Sequence, residues 1–534
     1  MDEKYNLSEG VKIKVLLVFP PITVFDPDPT KVSPIPPLGL AYIAGYLESK
    51  GYNVEILDCI AEGARDIVRD SGKTRYGLSD EAIIGHISSR KPDIVGISSM
   101  FTPYATDVHN TAKIIKKHNP NICVVVGGAH CSIKPEWVLK DKNIDIAVIG
   151  EGELTFLELV ERFEKKEDMT SIKGTAVRVG DKIIRNDSRP YIDNLDEIPF
   201  PARHLLPMKI YLENSKESKY IMRHPLTTLI SSRGCPYNCV YCSIHSVWGN
   251  KWRGSSARKV VDEIEFLVNN YGIREIHFLD DNIGASAKRL NEICDEIIER
   301  KIDVKWATPN GIAHWRLNEE LLNKMKRAGC YRLTFGIESG NIKTREFIGK
   351  TFPLDQAKQI IKHANRIGLW TLCTFIIGFP YEEENSIKDT INFAVESDSD
   401  FVIFFLLGPF PGTKVYEIFK KEGLLDFDWI FGEAATAATE EQYAQLGQAL
   451  ASRGTDTKHF TRSELQGYLS SAYAAFMRQR LKSFLNPLRV ARKIRSFEDL
   501  RYALRLASAM RKSVYEMAMD RFVTHFELRE KRGN

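Results

Sequence analysis

Short apolar runs alternate with amphipathic segments along the first third of the chain. The runs cover residues 15–19, 54–57, 94–97, 124–126 and 146–149, and several of them end at Pro or Gly. Between them, apolar positions recur at helical spacing over residues 37–50, 108–118 and 154–164. Strands with few polar positions are typical of a parallel sheet covered by helices on both faces. The pattern therefore predicts an α/β fold, with a doubly wound, Rossmann-like domain over residues 10–165 that binds ligands beyond the carboxyl ends of its strands.

A second alternation of strands and helices begins at residue 226. The preceding residues 166–225 have no sustained periodicity apart from a predicted hairpin over 175–184, and they are expected to form a linker. Six further strands are predicted at 227–231, 275–279, 304–308, 332–336, 371–377 and 401–405. Six strand–helix repeats predict a partial (β/α)6 barrel over residues 226–415, with its chemistry at the carboxyl ends of the strands. Residues 416–534 are predicted to be a helical C-terminal region.

The composition narrows the class of protein. Hydrophobic residues make up 43% and charged residues 27% of the 534 residues, which is typical of a folded globular chain and not of a disordered one. The formal net charge is only +4, so no global field attracts nucleic acid. The chain has no apolar run of about 18 residues and no apolar core of a signal peptide near its start. A cytoplasmic location is therefore expected.

Three of the nine cysteines lie within eight residues and indicate a metal site. Cys235, Cys239 and Cys242 follow the first predicted barrel strand with C-x3-C-x2-C spacing. Three thiolates can hold three irons of a four-iron cluster, so that the fourth iron is free to bind a small molecule. The alternative is a structural zinc site, in which His245 supplies the fourth ligand.

The cysteine motif and the strand ends after it resemble the radical S-adenosylmethionine (radical SAM) superfamily. The later segments are 278–282, 335–340 and 376–382, although the first of them lacks the glycines of the family pattern. The resemblance implies a 4Fe-4S cluster on the three cysteines and S-adenosylmethionine (SAM) on the open iron. It implies SAM contacts from Tyr241, Asp280, Asp281, Glu338, Ser339, Ile377 and Gly378. Asp281 is favoured over Asp280 as the acceptor for the ammonium group of SAM, because a carboxylate makes charge-assisted hydrogen bonds.

The N-terminal domain resembles the cobalamin-binding domain that precedes this barrel in cobalamin-dependent radical SAM enzymes. The matching residues lie at predicted strand ends, many of them small enough for a large flat cofactor to approach the backbone. They are Pro20, Pro21, Gly39, Ser98, Ser99, Met100, Thr102, Gly127, Gly128, His130, Gly150, Glu151, Gly152 and Glu153. The histidine motif that ligates cobalt in other cobalamin proteins is absent after the first strand, and the similar spacing of Asp107 and His109 falls at a later helix. The alternative is a related domain that binds no cobalamin.

The C-terminal region is locally basic. Residues 478–512 contain eleven Lys or Arg and two acids, with apolar residues at helical spacing between them. One interpretation is a helical cap with a solvated basic face. The other is an interfacial helix that contacts anionic lipid headgroups as a peripheral membrane surface. Nucleic-acid binding is not expected, because interleaved aromatic residues and any recognisable module are missing.

The resemblance implies radical chemistry on a small-molecule or lipid-like substrate. SAM would be cleaved to methionine and a 5′-deoxyadenosyl radical, with electrons from an external donor of the flavodoxin or ferredoxin type. The first hypothesis is cobalamin-dependent methylation of an unactivated carbon, as in the class B radical SAM methyltransferases. The second is an oxidative cyclase or rearrangement enzyme, similar to the anaerobic magnesium-protoporphyrin monomethyl ester cyclase. The third is a cobalamin or metal sensor without turnover.

Overall fold

The computed structural model describes residues 13–24, 32, 34–70, 73–216, 218–425, 454–484 and 486–508. The strands of its N-terminal half are β1 (Lys14–Phe19), β2 (Ile22–Val24), β3 (Asn53–Asp58), β4 (Ile67–Asp70), β5 (Lys73–Tyr76), β6 (Ile94–Ser98), β7 (Cys123–Gly127), β8 (Ile146–Val148), β9 (Thr175–Val179) and β10 (Lys182–Arg185). The helices are α1 (Leu38–Ser49), α2 (Cys59–Glu62), α3 (Asp80–Arg90), α4 (Ala105–His118), α5 (Ala129–Ile133), α6 (Pro135–Val138), α7 (Glu153–Glu164) and α8 (Met208–Ser215).

The N-terminal sheet has seven strands in the order β10-β9-β8-β7-β6-β1-β3. The five strands from β8 to β3 run parallel, which confirms the predicted doubly wound domain. Leu16 and Val18 of β1 face one hydrophobic core, and Val15 and Leu17 face the other. Burial on both faces explains why this strand is apolar at successive positions.

Residues 166–225, expected to form a linker, contain regular structure that belongs to the first domain. The predicted hairpin is present as β9 and β10, and β9 pairs antiparallel with β8, so the hairpin extends the sheet. Tyr211 of α8 donates a hydrogen bond from its hydroxyl to Asp58, with an O–O distance of 2.6 Å. A second, three-stranded sheet, β2-β5-β4, lies beside the domain. The apolar pattern does not predict this small sheet, because β4 is exposed along its whole length.

The second half of the chain is the partial barrel. Its strands are β11 (Leu226–Leu229), β14 (Glu275–Phe278), β15 (Lys305–Ile312), β16 (Cys330–Glu338), β17 (Trp370–Ile377) and β18 (Phe401–Leu406), and a short hairpin is formed by β12 (Ser232–Arg233) and β13 (Arg253–Gly254). The helices are α9 (His245–Trp248), α10 (Ala257–Tyr271), α11 (Ala287–Glu299), α12 (Glu319–Arg327), α13 (Ile342–Ile348), α14 (Leu354–Arg366) and α15 (Glu384–Glu396). The six main strands are parallel and adjacent in sequence order, as predicted.

Helices follow the barrel, which confirms the predicted helical C-terminal region. They are α16 (Lys414–Lys421), α17 (Arg462–Phe484), α18 (Pro487–Lys493) and a helix over 497–508; the rest of the predicted region lies outside the described residues. α17 packs along the edge strand β18, where the Tyr473 hydroxyl accepts a hydrogen bond from Phe404 N at 3.0 Å. In α18, Lys493 pairs with Asp400 at 2.6 Å, in the interior. None of the described helices combines the length and apolar character that crossing a bilayer needs.

Candidate active site

The three clustered cysteines lie in a loop that the hairpin of β12 and β13 closes at its base. Gly234, just before the first cysteine, has a φ of +80°, and a Cβ atom there would lie 2.8 Å from Lys251 O. Only glycine fits this position without displacing the backbone. The Gly234 amide donates a hydrogen bond to Asp281 Oδ2 at 2.9 Å, which ties the loop to the end of β14.

Several other elements hold the same loop. The Tyr237 hydroxyl accepts hydrogen bonds from Trp315 Nε1 at 2.9 Å and from Arg316 Nε at 3.1 Å. The Val240 amide donates to Ile348 O at 3.2 Å, and its carbonyl accepts from Val415 N at 3.1 Å. The path of the loop is therefore fixed by protein contacts from the ends of β15, α13 and α16.

All nine cysteines are free thiols, so the three in the loop are available as ligands. Burial raises the pKa of Cys242 to about 11, and it also raises the pKa of Cys235 and of Cys239. The thiols are therefore protonated at neutral pH without a cation, and metal binding has to release these protons. Three soft thiolates at the carboxyl end of a strand are a suitable donor set for an iron–sulfur cluster.

The zinc alternative depends on His245, and this ring is already engaged. Its Nε2 lies 2.8 Å from Tyr237 O, and its Nδ1 lies 3.2 Å from Gly249 O. Both nitrogens thus face main-chain carbonyls, and neither is free to complete a tetrahedral site. Among the described residues, no three His, Cys, Asp or Glu side chains are grouped so as to hold a single metal ion. A cluster differs from zinc in this respect, because each of its thiolates binds a different iron.

The two aspartates after β14 have different surroundings. Asp280 is 2% exposed, and its carboxylate accepts hydrogen bonds from Ser231 N at 2.8 Å and Ser231 Oγ at 2.7 Å, and from the hydroxyl of Ser232. Asp281 is partly exposed and accepts only from Gly234 N among the described residues. Burial raises the pKa of Asp281 to about 6. Asp281 therefore keeps acceptor capacity, whereas the carboxylate of Asp280 is engaged at the end of β11. Contact of either residue with SAM stays a prediction.

Glu338 forms a buried ion pair beside the cysteine loop. Its backbone has a φ of +66°, and its carboxylate lies 2.8 Å from Lys350 Nζ. Burial lowers the pKa of Lys350, but the nearby Glu338 and Cys239 raise it above its ordinary value. Burial, followed by the charge of Glu338, raises the pKa of Tyr241 well above its ordinary value. Tyr241, which lies within the cysteine loop, and Glu338, which lies beside it, are thus close neighbours.

Ser339 and the strand end at Ile377 and Gly378 serve the packing of the barrel. The Ser339 hydroxyl is buried and lies 2.9 Å from Thr390 Oγ1. Ile377 is the last residue of β17, and Gly378 has a φ of +98°. The Gly378 amide donates to Glu382 Oε2 at 2.7 Å, so Glu382 fixes this turn. Direct contact of these residues with SAM stays a prediction.

Lys350 and His314 lie near the loop but belong to no motif. His314 follows β15, is 1% exposed, and has no hydrogen-bond partner for either ring nitrogen among the described residues. Burial, with Lys350 and Arg345 nearby, lowers the pKa of His314 to about 3. The imidazole is therefore neutral. His314 comes two residues after β15 and Lys350 two residues after α13, and neither belongs to a sequence pattern that marks a site.

The predicted cobalamin residues lie at the carboxyl ends of β1, β6, β7 and β8 or in the turns and helix starts beside them. Pro20 and Pro21 follow β1, and Gly39 lies in the first turn of α1. Ser98 is the last residue of β6, and after it come Ser99, Met100 and Thr102. Gly127 is the last residue of β7 and is followed by Gly128 and His130, and β8 is followed by Gly150, Glu151, Gly152 and Glu153. Met100 and Phe101 are 41% and 53% exposed and give this edge an apolar surface that a flat cofactor could cover.

His130, Asp107 and His109 have structural partners. His130 is buried, with its Nδ1 2.9 Å from Thr102 Oγ1, and burial lowers its pKa to about 3. Asp107 accepts a hydrogen bond from Thr23 N at 2.7 Å, and His109 pairs with Asp141 at 2.8 Å. These contacts agree with the interpretation that the spacing of Asp107 and His109 is not a cobalt-binding motif.

Glu151 and Glu153 contact the barrel. Arg233, in the base of the cysteine loop, lies 2.8 Å from Glu151 Oε1 and also pairs with Glu153. Arg253 approaches the same Glu151 oxygen at 2.8 Å. The carboxyl-end loop of β8 is therefore joined to the cysteine loop by buried ion pairs, and cobalamin contact by these two side chains stays a prediction.

Two protein-family models match the chain. The B12 binding domain matches residues 31–160, and the Radical SAM superfamily matches residues 229–394. The chain is 35% identical over 466 residues to an uncharacterized methyltransferase of Pyrococcus horikoshii, covering 87% of this chain and 92% of that protein. It is also 35% identical over 445 residues to the cytidylyl-2-hydroxyethylphosphonate methyltransferase of Streptomyces wedmorensis, covering 77% and 83%.

The fold is also shared with a solved structure. The radical S-adenosylmethionine methyltransferase TsrM from Kitasatospora setae, solved with cobalamin and a [4Fe-4S] cluster, superposes with a TM-score of 0.66 over 87% of this chain and 89% of that chain. At 18% identity, this likeness concerns the fold alone. The identity and coverage of the two methyltransferases, together with the two domain matches in this chain, show the family. The chain belongs to the radical SAM methyltransferases that carry a B12-binding domain in front of the radical SAM domain.

Proposed function

We propose that this enzyme transfers a methyl group from SAM to a carbon atom of a small-molecule substrate, with a 4Fe-4S cluster and cobalamin as cofactors. The observation that supports the proposal is the contact between the base of the cysteine loop and the loop after β8, through Arg233 and Glu151. It brings the three thiols and the carboxyl ends of the N-terminal sheet to one interface. A reaction that uses both cofactors on one substrate requires that the two cofactor sites lie next to each other.

When bound, the cluster supplies the electron that cleaves SAM, and cobalamin carries the methyl group. The part of the protein is to hold and orient the reactants. Cys235, Cys239 and Cys242 would hold three irons, and Asp281 would accept hydrogen bonds from the ammonium group of SAM. The Tyr241 ring lies edge-on to Phe379, with centroids 6.1 Å apart, and offers an aromatic surface for the adenine.

The relative from Streptomyces wedmorensis gives a first trial substrate, since its name states that it methylates cytidylyl-2-hydroxyethylphosphonate. The test is anaerobic turnover of reconstituted protein with SAM, this phosphonate and reduced flavodoxin or ferredoxin as electron donor. A methylated product with S-adenosylhomocysteine supports the proposal. If no trial substrate is methylated and 5′-deoxyadenosine still forms, cyclase or rearrangement chemistry replaces methyl transfer as the proposed function. Protein that has its full iron content but produces neither product would be a sensor.

Peripheral contact with an anionic membrane is a second part of the proposal. In the helix over 497–508, Phe497, Leu500 and Leu504 are 73%, 38% and 63% exposed, and their spacing places them on one face. Arg495 and Arg501 are exposed beside them. Exposed apolar groups with neighbouring cations suit the interface of an anionic bilayer.

The test is co-sedimentation with vesicles of phosphatidylglycerol or of phosphatidylcholine. The parent protein should bind the anionic vesicles, and the double variant Phe497→Ser/Leu504→Ser should bind them more weakly. Leu481→Ser, which changes an exposed leucine of α17, is the matched control. Equal binding by the parent and the double variant would leave these helices as a cap of the barrel.

A further inference from the structure

A buried set of four charges joins the two domains. Glu151 and Glu153 come from the loop after β8 and the start of α7, and Arg233 and Arg253 come from β12 and β13. Each of the four side chains is at most 6% exposed. Two carboxylates and two guanidiniums balance in charge, and buried ions of this kind are stable only when they are paired and hydrogen-bonded.

The contacts within the set are specific. Glu151 Oε1 accepts hydrogen bonds from Arg233 Nη1 and from Arg253 Nη1, each at 2.8 Å. Its second oxygen accepts from Ile192 N at 2.7 Å. Arg233 also lies between the rings of Tyr42 and Trp248, with its guanidinium carbon 5.5 Å and 5.2 Å from the ring centroids. Glu151 is therefore the shared acceptor of three donors, and its position determines where both arginines lie.

The arginines belong to the base of the cysteine loop. Arg233 is separated from Cys235 by one glycine, and it is the direct cross-strand partner of Arg253 in the hairpin of β12 and β13. Like charges in directly opposite positions destabilise a strand pair. The hairpin that closes the loop therefore depends on the carboxylates of the N-terminal domain to neutralise its two arginines.

We infer that Glu151 and Glu153 are positioning residues, which hold the cysteine loop at a fixed place relative to the N-terminal domain. Cobalamin contact by these two residues stays a prediction, and the contacts that the structure shows pair their carboxylates with arginines of the barrel. The inference rests on the proposed function in one respect: the fixed placement matters because a cluster in the loop and cobalamin at the N-terminal sheet act on the same substrate. A loop that shifts by about 1 Å would lose productive geometry, at a cost of up to a hundredfold in rate.

The test compares Glu151→Gln with Glu158→Gln. Glu158 is a matched control, because it lies in α7 of the same domain and is also shared by two arginines, Arg162 and Arg189, away from the cysteine loop. The first readout is amide hydrogen exchange over residues 232–234 and 252–254 in full-length protein. We expect faster exchange there in Glu151→Gln than in the parent, and parent-like exchange in Glu158→Gln. Parent-like exchange in both variants would overturn the inference.

The second readout is the number of methyl groups transferred for each SAM cleaved, measured in protein with matched iron content. Glu151→Gln should lower this ratio by roughly tenfold or more while 5′-deoxyadenosine still forms, and Glu151→Asp should recover part of it. A merely structural role would lower both products together, and that result would overturn the positioning role. Failure of the parent to methylate any substrate would overturn the proposed function, whereas the exchange measurement would still decide whether the carboxylates hold the loop.

Discussion

Glu382 gives a quantitative test of the structure, through the variant Glu382→Gln. The side chain is 2% exposed, and its Oε2 accepts hydrogen bonds from Gly378 N at 2.7 Å and Phe379 N at 3.0 Å. Its Oε1 has no partner among the described residues. The two amides favour the carboxylate, but burial outweighs them and raises the pKa of Glu382 from 4.5 to about 7.

The direction and size of the effect follow from this pKa. A raised pKa means that the folded state binds the proton more tightly than the unfolded state, so the stabilisation is complete below pH 4.5 and is lost as the pH rises through 7. At about 1.4 kcal/mol for each pH unit, the parent loses roughly 3 kcal/mol over this range. Glutamine does not titrate, so Glu382→Gln should gain on the parent by roughly 2–3 kcal/mol between about pH 5 and pH 8.

The assay is denaturant unfolding of both proteins without cofactors, followed by tryptophan fluorescence at the two pH values. Glu383→Gln is the control, because Glu383 is the adjacent glutamate and is exposed. The quantity to compare is the difference in unfolding free energy between variant and parent. If this difference is the same at both pH values, or moves in favour of the parent as the pH rises, the assigned burial and hydrogen bonding of Glu382 are wrong.

Three further predictions concern the cysteine loop. Cys239→Ala should abolish SAM cleavage and leave the far-ultraviolet circular dichroism unchanged; 5′-deoxyadenosine formed at the parental rate would contradict the ligand assignment. His245→Ala should keep the iron content of the parent on reconstitution, since its ring nitrogens face carbonyls, and loss of bound metal would restore the zinc interpretation. Lys350→Met should reduce the unfolding free energy by about 3–5 kcal/mol, because Glu338 is left buried without its partner. Lys350→Arg should recover much of that loss, and an unchanged denaturation midpoint in Lys350→Met would show that the ion pair is absent.

The positions of the main strands along the chain were predictable because each strand is a short, largely buried apolar segment. The run over 94–97 corresponds to β6, Ile94–Ser98, which is covered on both sides by helices and therefore needs apolar residues throughout. The strand β4 has all four residues exposed and carries no such signal. The hairpin of β9 and β10 was predicted, but its addition to the first sheet depends on pairing with β8, which no local pattern specifies.

Some features of the candidate site were likewise predictable from the sequence, and others were not. Cys235, Cys239 and Cys242 are recognisable because their spacing along the chain is itself the signal. The pairing of Arg233 with Glu151 joins residues 82 positions apart, and only the packing of the two domains creates it. Asp280 and Asp281 are adjacent in the chain, and their different hydrogen-bond partners could not be assigned before the strand ends were placed.

The contact between α17 and β18 has a consequence for how the chain is made. β18 is the last strand of its sheet, and an uncovered edge invites pairing with strands of other molecules. Tyr473 covers part of this edge at Phe404, yet the ribosome adds Tyr473 well after the strand itself. During synthesis the barrel therefore passes through a stage at which its final strand is complete but Tyr473 does not yet cover it, and at that stage the exposed edge favours aggregation of the nascent chain.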